Sequence, residues 1–312
     1  MPTKIAVIQK PPVLLDRDKT IAQAVGLINE AANAGAVLLV FPEAYIPGYP
    51  AWIWRLKPGG DMALSSDLHA QLRLNAVDLN REGLLPLQEA ARKHAVTVVI
   101  GLNEIDSRFS GTTLFNTVVV IGPDGALLNR HRKLMPTNPE RMVWGMGDAT
   151  GLRVVETPAG RLGALICWES YMPLARYALY AQNLEIFVNP TWDNGEACHV
   201  TLRHIAREAG CWVIGTATAL QGCDLSEDFP ERDRLYKPDE WINDGDAVVV
   251  NPKGEIIAGP LHREKGILYA EIDVEAARRA RRSLDVCGHY SRPDIFSLSV
   301  NRKPLQPAEF SD

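Results

Sequence analysis

Short apolar runs recur along the whole chain, alternating with segments of helical character, and this alternation constrains the fold more than any other feature. Residues 4–9, 36–41, 96–102, 161–166, 186–189, 212–217 and 267–272 read as strands. Residues 20–34, 84–94, 174–182 and 200–209 read as helices, and Thr20 and Gln23 have capping-box spacing at the start of the first. Pro123-Asp124-Gly125 separates 115–121 from 126–129, and Pro252-Lys253-Gly254 separates 246–251 from 255–258. Both triplets are turn signals, so both pairs read as hairpins. Alternating elements plus hairpins predict an α/β chain with mixed sheets. The two halves share one order of strand, helix, strand and hairpin, which predicts two facing sheets with helices outside. Residues 45–76 and 221–244 read as long irregular stretches, a class of loop that is usually functional or interfacial. No Ser/Gly-rich linker or charge block interrupts the pattern, so residues 1–312 read as one domain, with 285–312 an extended tail that needs a surface to lie on.

Composition narrows the function classes. The net charge is −5, and the one basic cluster, Arg278-Arg279 with Arg281-Arg282, suits the cationic last turn of a helix beginning near Asp273. Nucleic-acid binding is not expected. No apolar run is long enough to span a bilayer, and no signal peptide is visible, so a cytoplasmic protein is expected. Five irregularly spaced cysteines fit a reducing compartment rather than a disulfide framework. There is no CxxC pair, no HExxH and no GxxxxGK[ST]; His199 and His204 are spaced badly for one helix face, and Gly145-Met146-Gly147 precedes no strand-to-helix pattern. Neither a metal nor a cofactor is expected.

Three polar residues stand where strands end. Cys167 follows the run ending at Ile166, at the start of an expected helix, where first-turn N–H groups face whatever reacts there. On position alone a packed thiol is the commoner fate. Glu43 follows the strand 36–41 directly after Pro42, and Lys133 follows the first hairpin. Ligands collect at the carboxyl ends of strands in parallel α/β sheets.

Phe41-Pro42-Glu43, His131-Arg132-Lys133-Leu134 before Pro136-Thr137, and Cys167-Trp168-Glu169 resemble, in order and approximate spacing, the three catalytic segments of the carbon–nitrogen hydrolase (nitrilase) superfamily. Trp144-Gly145-Met146-Gly147-Asp148 and Asp285-Val286-Cys287-Gly288-His289-Tyr290 are similar to the nitrile-cleaving branch. Asn138 stands where many relatives carry His. The resemblance implies an α-β-β-α sandwich that pairs into an α-β-β-α-α-β-β-α dimer, with larger and spiral assemblies among the expected states. It implies hydrolysis of an organic nitrile to a carboxylic acid and ammonia, with an amidase, a carbamoylase or a cyanide-degrading relative as alternatives. It implies Cys167 as nucleophile, Glu43 as general base, Lys133 as cationic stabiliser and Glu140 as a second carboxylate orienting Lys133 or a water. The Lys133 ammonium is expected to favour the thiolate. Tyr49, Trp144, Trp168 and Trp192, close in sequence to these segments, are the candidate pocket aromatics.

Overall fold

The computed structural model describes residues 2–108, 110–306 and 308. The first half supplies strands β1 (Thr3–Ile8), β2 (Leu38–Val40), β3 (Val77–Asp78), β4 (Thr97–Ile105), β5 (Leu114–Ile121) and β6 (Leu127–Arg132), with helices α1 (Arg17–Asn33), α2 (Met62–Leu74) and α3 (Leu85–His94). β7 (Val155–Thr157) ends the first half; the second half supplies β8 (Gly160–Ala164), β9 (Ile186–Pro190), β10 (Trp212–Thr216), β11 (Ala219–Gln221), β12 (Trp241–Val250), β13 (Ile256–His262) and β14 (Ile267–Ile272), with α4 (Pro173–Tyr180), α5 (Gly195–Ala209), α6 (Arg232–Leu235) and α7 (Val274–Arg281).

The two halves repeat one topology. β1, β2 and β4 run parallel, and β5 and β6 continue as antiparallel neighbours. Likewise β8, β9 and β10 run parallel, and β12 and β13 follow antiparallel. The last strand of each half then crosses over. β7 pairs with β8 at the edge of the second sheet, and β14 pairs with β1 at the edge of the first, from Thr3↔Ile272 to Ile8↔Ile267. This exchange ties the halves together and covers edges that would otherwise expose unpaired backbone groups.

The sheets face each other across one apolar layer. Val7, Val40 and Val118 from the first meet Leu162, Ile186, Val188 and Ile214 from the second, all buried. Full burial of such a side chain contributes about 1.5–3 kcal/mol. On the far face of the first sheet, Ala24, Leu27 and Ile28 of α1 and Leu87 and Ala91 of α3 cover Ile8, Leu39 and Ile100. On the far face of the second, Leu179 of α4 and Leu202 and Ile205 of α5 cover Phe187, Val213 and Val248. The layers are therefore α-β-β-α, as the resemblance implied.

Several boundaries differ from the sequence expectations. α1 begins three residues before Thr20, because the Asp16 side chain accepts the Lys19 N–H at 3.0 Å and caps the helix there. Thr20 lies buried inside the helix, its hydroxyl donating to the Val13 carbonyl at 2.8 Å. Residues 45–76 are not irregular throughout. They hold a 3₁₀ turn, Ala51–Trp54, and α2, whose only buried residues, Leu68 and Leu72, make too thin a stripe to announce a helix. Residues 221–244 hold α6 and the start of β12. β3, β7 and β11, two or three residues each, are too short to show alternation. Asp273 does cap α7, accepting the Glu275 N–H at 3.1 Å, and the basic cluster falls in its last turn. No helix among the described residues is long and apolar enough to cross a membrane.

Candidate active site

Glu43 leaves β2 through Phe41 and Pro42, and its backbone passes over β4 at Gly101. A Cβ at Gly101 would overlap the Pro42 carbonyl and the Ala44 nitrogen, so only glycine permits this approach. Lys133 arrives at the same end of the sheet because β6 is antiparallel to β5 and β5 to β4. Two reversals restore the direction of β2 and β4. The Lys133 N–H extends that ladder by one bond, to the Asn116 carbonyl at 2.8 Å. Glu140 sits on the 3₁₀ turn Asn138–Met142 and folds back onto the same point.

These three residues form one buried ion cluster. The Lys133 ammonium lies 2.8 Å from Glu43 Oε1 and 2.8 Å from Glu140 Oε2. Each of the three side chains is no more than 1 % exposed. The two carboxylates are bonded differently. Glu140 Oε1 accepts the Tyr49 hydroxyl at 2.7 Å, and Oε2 accepts the Thr137 N–H at 2.7 Å as well as the ammonium. Glu43 Oε1 accepts the Asn116 amide at 2.7 Å and the ammonium, but Glu43 Oε2 is buried with no partner. Buried polar atoms are nearly always bonded, so this carboxylate oxygen, beside the Lys133 ammonium, has capacity left to accept a proton.

Cys167 stands above this cluster from the second sheet. After β8 the chain turns into a 3₁₀ segment, Cys167–Tyr171, rather than directly into the α-helix expected from the sequence; α4 follows from Pro173. Cys167 holds φ = 54°, a left-handed conformation that L side chains seldom adopt. Asn189 on β9 braces the turn, donating to the Leu165 carbonyl at 2.8 Å and the Cys167 carbonyl at 3.1 Å. Glu169 lies beneath it, fully buried, taking bonds from the Ile166 N–H, the Leu134 N–H and His131.

Burial dominates the electrostatics. It pushes the Glu43 carboxyl up to about 7, with Lys133 pulling down and Glu140 pushing further up. Burial works against charge on Lys133, but Glu43, Cys167 and Glu140 more than offset it and hold the ammonium above the ordinary lysine range. Burial pushes the Cys167 thiol up to about 12, Glu43 adds to the rise, and Lys133 and the Thr191 hydroxyl oppose it. The sequence expectation was that the ammonium would favour the thiolate. It does act in that direction, but burial first, and then the Glu43 and Glu140 charges, outweigh it and push the thiol up.

The aromatic candidates divide. Tyr49 stacks on Trp192 with ring centroids 4.2 Å apart and planes 6° from parallel, and meets Trp144 edge-on at 5.5 Å. The Trp144 indole donates to Asn103 Oδ1 at 2.9 Å, and the Trp54 indole donates to the Tyr49 hydroxyl at 3.1 Å. Trp168 does not join this group. It is 47 % exposed and donates to the Asp193 carboxylate at 3.0 Å. Among residues that sequence reasoning passed over, Asn116 and Asn189 are instructive. Each is an amide inside a buried apolar strand, Leu114–Ile121 and Ile186–Pro190, where it must find a partner, and that was the available signal.

The Carbon-nitrogen hydrolase family matches residues 4–282. The chain belongs to the carbon–nitrogen hydrolase family. It is 38 % identical to Nitrilase 2 of Arabidopsis thaliana over 98 % of this hydrolase and 91 % of that protein. It is 39 % identical to an aliphatic nitrilase of Sinorhizobium fredii, covering 96 % of both chains. It is 36 % identical to a bifunctional nitrilase/nitrile hydratase of Lupinus angustifolius, covering 99 % of this chain and 88 % of the other. The crystal structure of Saccharomyces cerevisiae Nit3 superposes with a TM-score of 0.72 at 20 % identity, covering 93 % of this hydrolase and 96 % of Nit3, a likeness of fold. This is an enzyme that hydrolyses carbon–nitrogen bonds.

Proposed function

We propose that this hydrolase converts an organic nitrile to a carboxylic acid and ammonia, with Cys167 as nucleophile. The observation that carries the assignment of roles is the unpaired, buried Glu43 Oε2 beside a saturated Glu140. A carboxylate with one free oxygen can take a proton, whereas one with three donors already bound serves to hold Lys133 and Tyr49 in place. Glu43 accepts the thiol proton as Sγ attacks the nitrile carbon and passes it to the nitrogen, which gives a thioimidate and returns Glu43 to its ionised form. Water, deprotonated by Glu43, adds to the same carbon. Ammonia departs with a proton, leaving a thioester, and a second water releases the acid and restores the thiol. The sum is one nitrile and two waters to one acid and one ammonia. Lys133 and the Trp168 N–H, which as a first-turn donor has no acceptor one turn back, stabilise charge on the heteroatom. If the first tetrahedral species expels sulfur instead of ammonia, the product is an amide, in keeping with the names of the bifunctional relatives.

We assign Tyr49, Trp144 and Trp192, which pack on one another beside Glu140, as the aromatic groups that face the organic part of the substrate. Ammonia release from a panel of nitriles and the matching amides tests the reading. Turnover of the amides alone would replace it with an amidase. The pH dependence is a second check. Glu43 must be ionised to act, so kcat/KM should fall as pH drops below about 7 and level off above it. The same shift has a stability sign. Between the ordinary carboxyl range and 7 the folded protein holds a proton that the unfolded chain has lost, so raising pH through that window costs stability while it switches the base on. Glu43→Gln should erase that acid limb and lower kcat by roughly 10²–10⁴-fold.

We also assign a homodimer or larger homo-oligomer in a reducing, cytoplasmic setting. Trp168, Tyr171, Met172 and Leu174, just past the nucleophile, and Val200 on α5 form an exposed apolar face suited to pairing of helical layers. The tail, residues 285–312, exposes Tyr290, Ile295 and Phe296. Its far part is tied to the segment following Glu140, with the Leu305 N–H on Asp148 Oδ2 at 2.9 Å and Arg302 on the Leu152 carbonyl at 2.8 Å. Gly147 N–H in turn holds the Lys133 carbonyl at 2.8 Å. Deleting the residues after Arg292 should therefore weaken both assembly, by light scattering, and kcat. A monomer that keeps full kcat would separate the tail from function.

A further inference from the structure

We propose that Glu169 is a positioning residue that sets the separation of the nucleophile from the ammonium, an inference that deepens the nitrilase reading and rests on it. Glu169 Oε2 accepts the Ile166 N–H at 2.6 Å, and Glu169 Oε1 accepts the Leu134 N–H at 2.8 Å. Ile166 is the residue before Cys167, and Leu134 is the residue after Lys133. The two segments come from different sheets, one following β8 and the other β6. One rigid carboxylate therefore grips the backbone immediately beside each reacting side chain, across the interface between the halves. His131 Nε2 lies 3.1 Å from Oε1 and 3.0 Å from Oε2 and closes the clamp from β6, while His131 Nδ1 is buried without a partner. His131 is thus held by its contact with Glu169 alone among its ring nitrogens, which fixes it as a strut for the carboxylate.

The chemistry of the bridge demands a carboxylate. Both backbone groups are donors, so both ends of the bridging side chain must accept. A carboxamide offers one accepting end and presents an N–H to the other donor. Glu169→Gln therefore breaks one bridge while keeping volume and shape. Glu169→Asp keeps the charge but falls one methylene short of spanning both segments. Because Glu169 makes no bond to Glu43, Lys133 Nζ, Glu140 or the Cys167 sulfur, it acts through the backbone and not on substrate.

The experiment compares native protein with both variants by circular dichroism, by steady-state kinetics on a nitrile that the native protein turns over, and by the pH profile of Cys167 alkylation with iodoacetamide. Misplacement of reacting groups by about 1 Å lowers turnover by about 10²-fold. Loss of kcat on that scale is expected in folded Glu169→Gln and Glu169→Asp, with KM changed by less than about threefold and a displaced alkylation profile. A residue that only supported the fold would lower the unfolding midpoint and leave kcat and the profile of the folded fraction unchanged. Native-like kcat and an unshifted alkylation profile in either folded variant would overturn the proposal. Alkylation needs no nitrile, so a chain that turned over no nitrile yet showed the shifted profile would end the nitrilase reading and leave the positioning role standing.

Discussion

Cys167→Ala should abolish turnover, lowering ammonia release by at least about 10⁴-fold, because no other group can form the covalent bond to the substrate carbon. The fold should survive. Ala tolerates the same left-handed backbone no worse than Cys, and the change removes one buried sulfur at a cost of about 1 kcal/mol. Circular dichroism and a urea titration would confirm a native structure, and ammonia detection would report the chemistry. Near-native ammonia release from the folded variant would sink the mechanism. The other four thiols, Cys198, Cys211, Cys223 and Cys287, should be replaceable without loss of chemistry.

Lys133→Ala should fail twice over. It leaves Glu43 and Glu140 buried without the cation they share, and uncompensated burial of this kind costs about 3–5 kcal/mol. It also removes the charge that opposes the rise of the Cys167 thiol, so alkylation near neutral pH should slow. kcat should fall by roughly 10²–10³-fold, the scale of losing one transition-state donor. The acid limb of any residual activity should move upward, since Lys133 is the main force holding the Glu43 carboxyl down. Unchanged alkylation would mean that Lys133 does not tune the thiol, whatever its effect on stability.

The strand ends at Glu43 and Cys167 were readable because each follows an apolar run, and the first is cut off by Pro42. Lys133 was readable as the residue after a hairpin, and the hairpin is what turns it toward Glu43. Glu140 was placed near Lys133, and a 2.8 Å contact joins them. Trp168 was grouped with the pocket aromatics because it adjoins Cys167. Neighbours in sequence need not share a side of a turn, and its ring faces Asp193 near the surface. α2 escaped notice because only two of its residues are buried, and the exchange of β7 and β14 between sheets has no local mark at all.

The sequence by itself determined the alternation of strands and helices and the repeat of topology in the two halves, which rest on local patterning and on where apolar runs stop. It also showed the three segments around Glu43, Lys133 and Cys167, whose assigned roles come from their resemblance to the family's motifs. Tertiary structure decided which carboxylate keeps a free oxygen and why the thiol rests protonated. Those properties depend first on burial and then on how one ammonium is divided among Glu43, Glu140 and Cys167, and both are set by the packing of separate strands and turns, which no linear pattern encodes.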